Sequence, residues 1–170
     1  MTSFIKRLAA VALFLLLAVL SACSSSDNGS GASNSSTAMT EIANISVSDS
    51  RVGSLVGTKD PTRGLISDER GGVLMFGPYM AIQPGKYRVV IRGQYAAPAP
   101  TVPMTLDVVH ARAAVTLAKI TIDKPEDQAK GVLATLDFEA PNGAADLEVR
   151  AIVPAKVEAT ISGYGIYKFQ

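Results

Sequence analysis

The side chains that most often carry catalysis are scarce in this chain. Among its 170 residues there is one cysteine, Cys23, and one histidine, His110. A Ser–His–acid triad would have to use His110, and the sequence contains no Gly-x-Ser-x-Gly nucleophile elbow. Zinc sites built on clusters of His or Cys are excluded by the same counts, and no pair of carboxylates stands out as a glycosidase would require. We therefore predict that the protein is not an enzyme.

Side chains that could contact a ligand without catalysis are more frequent. The densest charged stretch, TRGLISDERGG at residues 62–72, could bind sugar hydroxyls through its arginines and carboxylates, or its charges could neutralise one another on a surface loop. A flat aromatic ring could stack on the apolar face of a sugar, but the chain has five tyrosines and no tryptophan. For Tyr79, which follows Gly-Pro at a predicted strand kink, the alternative is a core or corner residue with its hydroxyl bound to the backbone. The candidate ligand contacts are Arg63, Tyr79, Arg92 and Tyr95.

Two acidic pairs, Asp68–Glu69 and Glu126–Asp127, could supply oxygen ligands to a calcium ion. The spacing of a calcium-binding loop, Asp-x-Asp-x-Asp-Gly, is absent from the sequence. The pairs are therefore more typical of solvated loop acids. We expect no cofactor, with a structural calcium ion as the alternative.

The N-terminus has the pattern of an export signal. Lys6 and Arg7 precede an apolar run at residues 8–20. This run is shorter than the roughly 20 apolar residues that cross a bilayer, and it matches the short apolar region of a secretory signal. Removal of residues 1–22 leaves 14 basic and 15 acidic residues. Such a balance provides no basic surface for nucleic acid, so we expect no nucleic-acid partner.

The stretch Leu20-Ser21-Ala22-Cys23 resembles the lipobox of bacterial lipoproteins. The resemblance implies cleavage before Cys23, attachment of a diacylglycerol to its sulfur, and acylation of its amino group by a fatty acid such as palmitate. Ser24, rather than Asp, follows the cysteine, and by the same resemblance this implies the outer membrane. We expect a lipid-anchored protein that faces the periplasm.

The composition changes twice along the chain. Residues 23–43 are rich in Ser, Asn and Gly and contain little that can be buried, which predicts a disordered tether. Residues 44–170 have the texture of a folded domain. The predicted organisation is a signal peptide at residues 1–22, a lipidated cysteine and tether at residues 23–43, and one domain at residues 44–170.

Within the domain, apolar and polar residues alternate with the period of strands that are buried on one face. Tyr87 falls on an apolar face, and a tight bend near Arg112 divides residues 108–119 into two strands. Turn residues punctuate the pattern. These features predict eight or nine strands in an all-β, antiparallel two-sheet β-sandwich of the jelly-roll type. The alternating segments are residues 87–95, 104–109, 132–138, 146–153 and 156–161.

The segment GGVLMFGPYMAIQPGKYRVVIRGQY, residues 71–95, resembles the core motif G-x-L-x-x-G-P-Y-x-x-L-x-x-G-x-Y-x-V. This motif occurs in carbohydrate-binding modules and in β-sandwich domains found beside bacterial glycosyltransferases. The resemblance implies a sandwich that binds envelope or extracellular polysaccharide. A structural or assembly lipoprotein that binds a protein partner through the sandwich is the alternative. The matching residues are Gly72, Leu74, Gly77, Pro78, Tyr79, Ile82, Gly85, Tyr87 and Val89.

Overall fold

The computed structural model of the protein describes residues 38–95 and 102–170. Cys23, the predicted signal peptide and most of the predicted tether lie outside the described residues. Within these two ranges no helix is long and apolar enough to cross a membrane.

The described residues contain ten β-strands, whereas the sequence predicts eight or nine. The strands are β1 (Met39–Ser46), β2 (Gly57–Asp60), β3 (Gly64–Ser67), β4 (Gly72–Ile82), β5 (Gly85–Tyr95), β6 (Met104–His110), β7 (Val115–Ile122), β8 (Val132–Ala140), β9 (Ala144–Val153) and β10 (Ala159–Phe169).

The strands form two antiparallel sheets packed face to face, as predicted. The six-stranded sheet has the order β2-β3-β10-β5-β8, and β1 pairs with β10 beyond the short stretch that β10 shares with β3. The four-stranded sheet has the order β4-β9-β6-β7. The protein is therefore an all-β sandwich of the jelly-roll type, and the bend near Arg112 is the connection between β6 and β7.

The core lies between the two sheets and is built from the alternate residues that the sequence pattern predicts. Tyr87 and Val89 of β5 are buried, as are Leu147 and Val149 of β9 on the facing sheet. Each side chain of this size contributes roughly 1.5–3 kcal/mol when it is removed from water. Among the predicted segments, residues 156–161 form a strand only from Ala159 onward.

The folded sheet begins earlier than predicted. Strand β1 starts at Met39, inside the segment assigned to the tether, and its residues pair with β10 from Met39 opposite Phe169 to Ser46 opposite Gly163. Its side chains are mostly exposed, four of the eight are polar, and Ile45 is the one that is buried within the strand. The strand is not predictable from composition, because pairing at a sheet edge depends on backbone groups and requires few buried side chains.

Ser67, the last residue of β3, is hydrogen-bonded to the residues that lead into β10. Replacement of Ser67 tests how much this contact stabilises the fold. Its buried hydroxyl donates to the carbonyl of Val157 at 2.7 Å and accepts from the N–H of Ala159 at 2.9 Å. Ser67→Ala leaves both backbone groups without this partner, so we expect a loss of about 2 kcal/mol in the free energy of unfolding. Urea denaturation measures it.

Ser162→Ala is the matched control, because its exposed hydroxyl makes one long bond of 3.3 Å to the carbonyl of Arg92. We expect a change within about 0.5 kcal/mol for this variant. Equal effects of the two substitutions would show that Ser67 does not hold the entry into β10.

Candidate functional site

A groove of about 390 Å³ lies on the outer face of the four-stranded sheet. It follows from the alternation along β9, in which Leu147 and Val149 point into the core while Glu148 and Arg150 point outward. Strand β9 lies between β4 and β6, so side chains from both neighbours flank it. We call this site the β9 groove and define it by Leu55, Phe76, Tyr79, Arg112, Asp146, Glu148 and Arg150.

An ion pair fixes the guanidinium at the floor of the groove. Arg150 donates from Nε to Oδ1 of Asp107 at 2.8 Å and from Nη2 to Oδ2 at 2.7 Å. Asp107 is directly opposite Arg150 in the β6–β9 register and is only 4% exposed. The bonds to this carboxylate raise the pKa of Arg150 above its ordinary value. The pair uses two of the five N–H donors of the guanidinium, which leaves three for other acceptors.

The carboxylate of Glu148 is buried beside this pair and has few hydrogen-bond donors. The hydroxyl of Tyr79 donates to its Oε1 at 3.2 Å. Its Oε2 accepts no hydrogen bond from any residue that the structure describes, although Glu148 is only 7% exposed. Partial burial and the neighbouring charge of Glu148 raise the pKa of Tyr79.

Tyr79 is placed by an irregularity in β4. In the β4–β9 register Pro78 lies opposite Glu148 and Met80 opposite Leu147, so Tyr79 is an extra residue, a β-bulge. Its φ of 57° is left-handed, which a bulky side chain rarely adopts. The result is a tyrosine that is 50% exposed although it belongs to an interior stretch of the strand. Strain of this kind persists where surrounding contacts hold it, and it clusters at functional sites.

The apolar wall of the groove comes from the connection between β1 and β2. Gly53 exchanges two backbone hydrogen bonds with Phe76, at 2.9 and 3.0 Å, and Leu55 donates to the carbonyl of Val73 at 2.9 Å. A Cβ on Gly53 would collide with the ring of Phe76, which lies against the glycine. The Phe76 ring contacts the Tyr79 ring edge to face, with centroids 6.4 Å apart. Leu55 is 62% exposed and completes this wall.

The polar end of the groove is a strained turn between β6 and β7. Three successive residues, Ala111, Arg112 and Ala113, have φ values of 55°, 56° and 62°. The carboxylate of Asp146 accepts the N–H groups of Ala111 at 2.8 Å and Arg112 at 2.9 Å. These two bonds lower the pKa of Asp146. Asp146 thereby stabilises a left-handed turn that brings Arg112 to the groove.

The four predicted ligand contacts do not form one site. Tyr79 lies in the β9 groove, and the alternative of a core residue bound to the backbone is wrong for it. Arg63 lies between β2 and β3, and Arg92 is on β5, where it donates to Oδ1 of Asn44 at 2.6 Å. Both belong to the six-stranded sheet rather than to the sheet that carries the groove.

Tyr95 is a correction to the predicted contacts. It is only 6% exposed, and its hydroxyl donates to the carbonyl of Ile122 at 2.6 Å. Burial raises its pKa to about 12. Because the ring packs inside the sandwich, it cannot stack on a ligand at the surface.

The acidic pairs considered for calcium are divided among separate ion pairs. Asp68 accepts from Arg70 at 2.6 Å, and Asp127 accepts from Lys130 at 3.0 Å. Across residues 38–95 and 102–170, no three His, Cys, Asp or Glu side chains are grouped so that they could hold a metal ion. The charged stretch at residues 62–72 thus contains at least one mutually neutralised pair, as its alternative interpretation expects.

Comparison with known proteins adds little at the level of sequence. No protein-family model matches the chain, and no curated protein matches it. One matching solved structure is the carbohydrate-binding module CBM6cm-2 of lichenase 5A from Cellvibrio mixtus, in complex with cellotriose. It is 16% identical, covers 77% of this chain and 100% of its own, and has a TM-score of 0.49.

Two further solved structures match with the same TM-score of 0.49. The C-terminal CBM6 of the laminarinase LamC from Zobellia galactanivorans is 12% identical and covers 74% of this chain and 98% of its own. A glycosylation-associated protein complex, Gap123, from Streptococcus agalactiae is 11% identical and covers 74% of this chain and 25% of its own. Function must therefore be inferred from the side chains of this protein.

The ion pair at the floor of the groove can be tested by its effect on stability. Asp107→Asn removes the charge that pairs with Arg150, whose side chain is only 24% exposed. We expect a loss of about 2 kcal/mol in the free energy of unfolding, because one partner of a largely buried pair is left uncompensated. Chemical denaturation measures the change.

Asp137→Asn is the matched control. Asp137 makes the same two-bond contact with Arg88, at 2.6 and 2.7 Å, but on the exposed face of the six-stranded sheet. A loss of no more than about 1 kcal/mol is expected there. If Asp107→Asn were as mild as this control, the pair would not be what holds the groove floor.

Proposed function

We propose that the protein is a non-catalytic glycan-binding domain, anchored to the outer membrane by lipid at Cys23, and that the β9 groove holds the ligand. The observation that carries the proposal is the position of Tyr79, half-exposed beside Arg112, Arg150 and Glu148 in one groove.

The groove matches the mixed chemistry of a sugar. A pyranose has apolar C–H faces, which stack on aromatic rings, and hydroxyls, which both donate and accept hydrogen bonds. Tyr79 and Phe76 supply the aromatic surface. Arg150 retains unused N–H donors, and Oε2 of Glu148 is an acceptor. The volume of about 390 Å³ is within the range of roughly 300–1,000 Å³ for small-ligand sites.

The carboxylates near the groove are arranged for binding rather than for hydrolysis. A glycosidase needs one carboxyl group whose pKa is raised, so that it can act as an acid, and a second one beside the scissile bond. Both oxygens of Asp146 are already occupied by backbone N–H groups, at 2.8 and 2.9 Å. Asp107 is bound at both oxygens by Arg150. Glu148 is thus left without a partner acid, which supports a binding role.

Replacement of Tyr79 tests the site. Tyr79→Ala removes the exposed ring and the donor to Glu148, so we expect the affinity for polysaccharide to fall about tenfold or more, as for an aromatic anchor in other interfaces. Pull-down on a panel of envelope and exported glycans finds the ligand, and calorimetric titration of the mature lipoprotein in a non-ionic detergent gives the affinity.

Tyr167→Ala, on β10 of the six-stranded sheet, is the control for the loss of a tyrosine. Arg63→Ala and Arg92→Ala control for the sites on that sheet. All three are expected to bind normally. Loss of binding in these variants with retention in Tyr79→Ala would move the site to the other sheet, and no binding across the panel would overturn the proposed function.

Replacement of Cys23 tests the anchor separately. Cys23→Ser removes the sulfur that would carry the diacylglycerol, so we expect the protein to leave the outer-membrane fraction. Fractionation and mass spectrometry of the N-terminal peptide check this result. Ser24→Ala, next to it, should keep the protein in the membrane. An unlipidated Cys23 in the wild-type protein would refute the anchor and leave the groove unaffected.

A further inference from the structure

We propose that the β9 groove selects glycans that carry a free amino group, protonated to an ammonium ion, over neutral and anionic glycans. This inference rests on the proposed function and names the ligand class of the same site.

The first support is the balance of charge in the groove. The guanidinium of Arg150 is neutralised by Asp107, which contacts it at both oxygens. The remaining charges are two carboxylates, Asp146 and Glu148, against the single cation of Arg112. With Lys119 of β7, which is exposed and lies opposite Asp107 in the β6–β7 register, the charges around the groove sum to zero. The unpaired negative charge is therefore local to Glu148, where it attracts a cation and disfavours uronates, sialates and phosphorylated sugars.

The second support is the unmet hydrogen bonding of Glu148. This residue is more than nine-tenths buried, and its one donor in the described structure is the neutral hydroxyl of Tyr79 at 3.2 Å. Its Oε2 is accessible from the groove rather than fully buried, so a ligand can reach it and supply the missing donors. An ammonium group has three N–H donors and a full positive charge. It therefore supplies the donors that the Glu148 carboxylate lacks beyond the hydroxyl of Tyr79.

The third support is the aromatic surface around this carboxylate. The ring of Tyr79 is joined to Glu148 by its own hydroxyl, and the ring of Phe76 lies 6.4 Å from it, centroid to centroid. Aromatic faces attract ammonium ions through the ring quadrupole. Two rings and a carboxylate that line the same groove favour a cationic group over a neutral hydroxyl.

Arg112 is the group that opposes a cation in the groove. Its side chain is exposed, whereas Glu148 is buried. Water and salt screen the charge of an exposed arginine far more strongly than that of a buried carboxylate. The effect of Glu148 therefore dominates at the aromatic end of the groove.

Three oligosaccharides with one backbone test the inference. Tetraglucosamine, tetra-N-acetylglucosamine and cellotetraose, all β-1,4-linked, differ only in the group on C2, which is an ammonium, an acetamide or a hydroxyl. The mature lipoprotein in non-ionic detergent is titrated with each one by calorimetry, at a pH where the amine is protonated. We expect tetraglucosamine to bind about tenfold more tightly than cellotetraose, because the ammonium adds the Coulomb attraction of an opposite charge to a hydrogen bond that a hydroxyl could also donate.

The variant Glu148→Gln separates charge from shape. It keeps an acceptor for the Tyr79 hydroxyl but removes the negative charge, so the ratio of the affinity for tetraglucosamine to the affinity for cellotetraose should fall to about twofold or less. Glu158→Gln makes the same change in net charge at an exposed position before β10 and should keep the preference. Unfolding midpoints check that both variants are folded. The salt dependence of the wild-type preference gives a second measurement that needs no variant.

The outcomes distinguish the two proposals. If Tyr79-dependent binding occurs but cellotetraose or tetra-N-acetylglucosamine binds as tightly as tetraglucosamine, the inference is overturned and the glycan-binding function stands. The inference also fails if Glu148→Gln keeps the preference. If no glycan binds and a lysine-rich peptide does, the groove belongs to a protein partner and both proposals fail.

Discussion

The alternation of side chains along β9 is the constraint on which the rest of the structure depends. This strand is hydrogen-bonded on both edges, to β4 and to β6, so its register cannot slip by one residue without exchanging its two faces. Leu147 and Val149 fill the core on one face. Glu148 and Arg150 are thereby forced onto the other face, where their neighbours in β4 and β6 supply an aromatic ring and a carboxylate. The same alternation of side chains along β9 therefore produces both the core and the groove.

The groove depends on departures from regular sheet geometry at both of its ends. At one end a bulge turns Tyr79 outward at a left-handed φ, and at the other end three left-handed residues carry Arg112. Each departure is stabilised by a carboxylate from β9, Glu148 for the tyrosine and Asp146 for the turn. The acids of β9 therefore shape the groove as well as giving it charge. This double role explains why strained backbone is retained at the site and not elsewhere on the same strands.

The strands and the core could be predicted from the sequence, because period-two alternation depends only on which residues avoid water. The burial of Tyr87 is predictable on that basis. The same period also places Tyr95 inside the sandwich, which contradicts its prediction as a ligand contact. Strand β1 was hidden because an edge strand is held by backbone bonds. The pattern also puts Asp107 and Arg150 on outer faces. Their pairing depends on register between strands that are far apart in the chain, which one sequence does not contain.

The pairing of β1 has a mechanical consequence. Met39, where the described chain enters the sheet, lies opposite Phe169 at the end of β10. If lipid at Cys23 holds the chain while a bound polymer pulls on the groove, the load enters at Met39 and opens β1 from β10 one hydrogen-bonded pair at a time. The first buried side chain in its path is Ile45. Ala43, two residues before it, is partly buried and packs against the core. Roughly 14 Å of chain, from Met39 to Ile42 at about 3.4 Å per residue, can therefore be released without disturbing the core. Under such a load, strand β1 would separate before the face that carries the β9 groove is distorted.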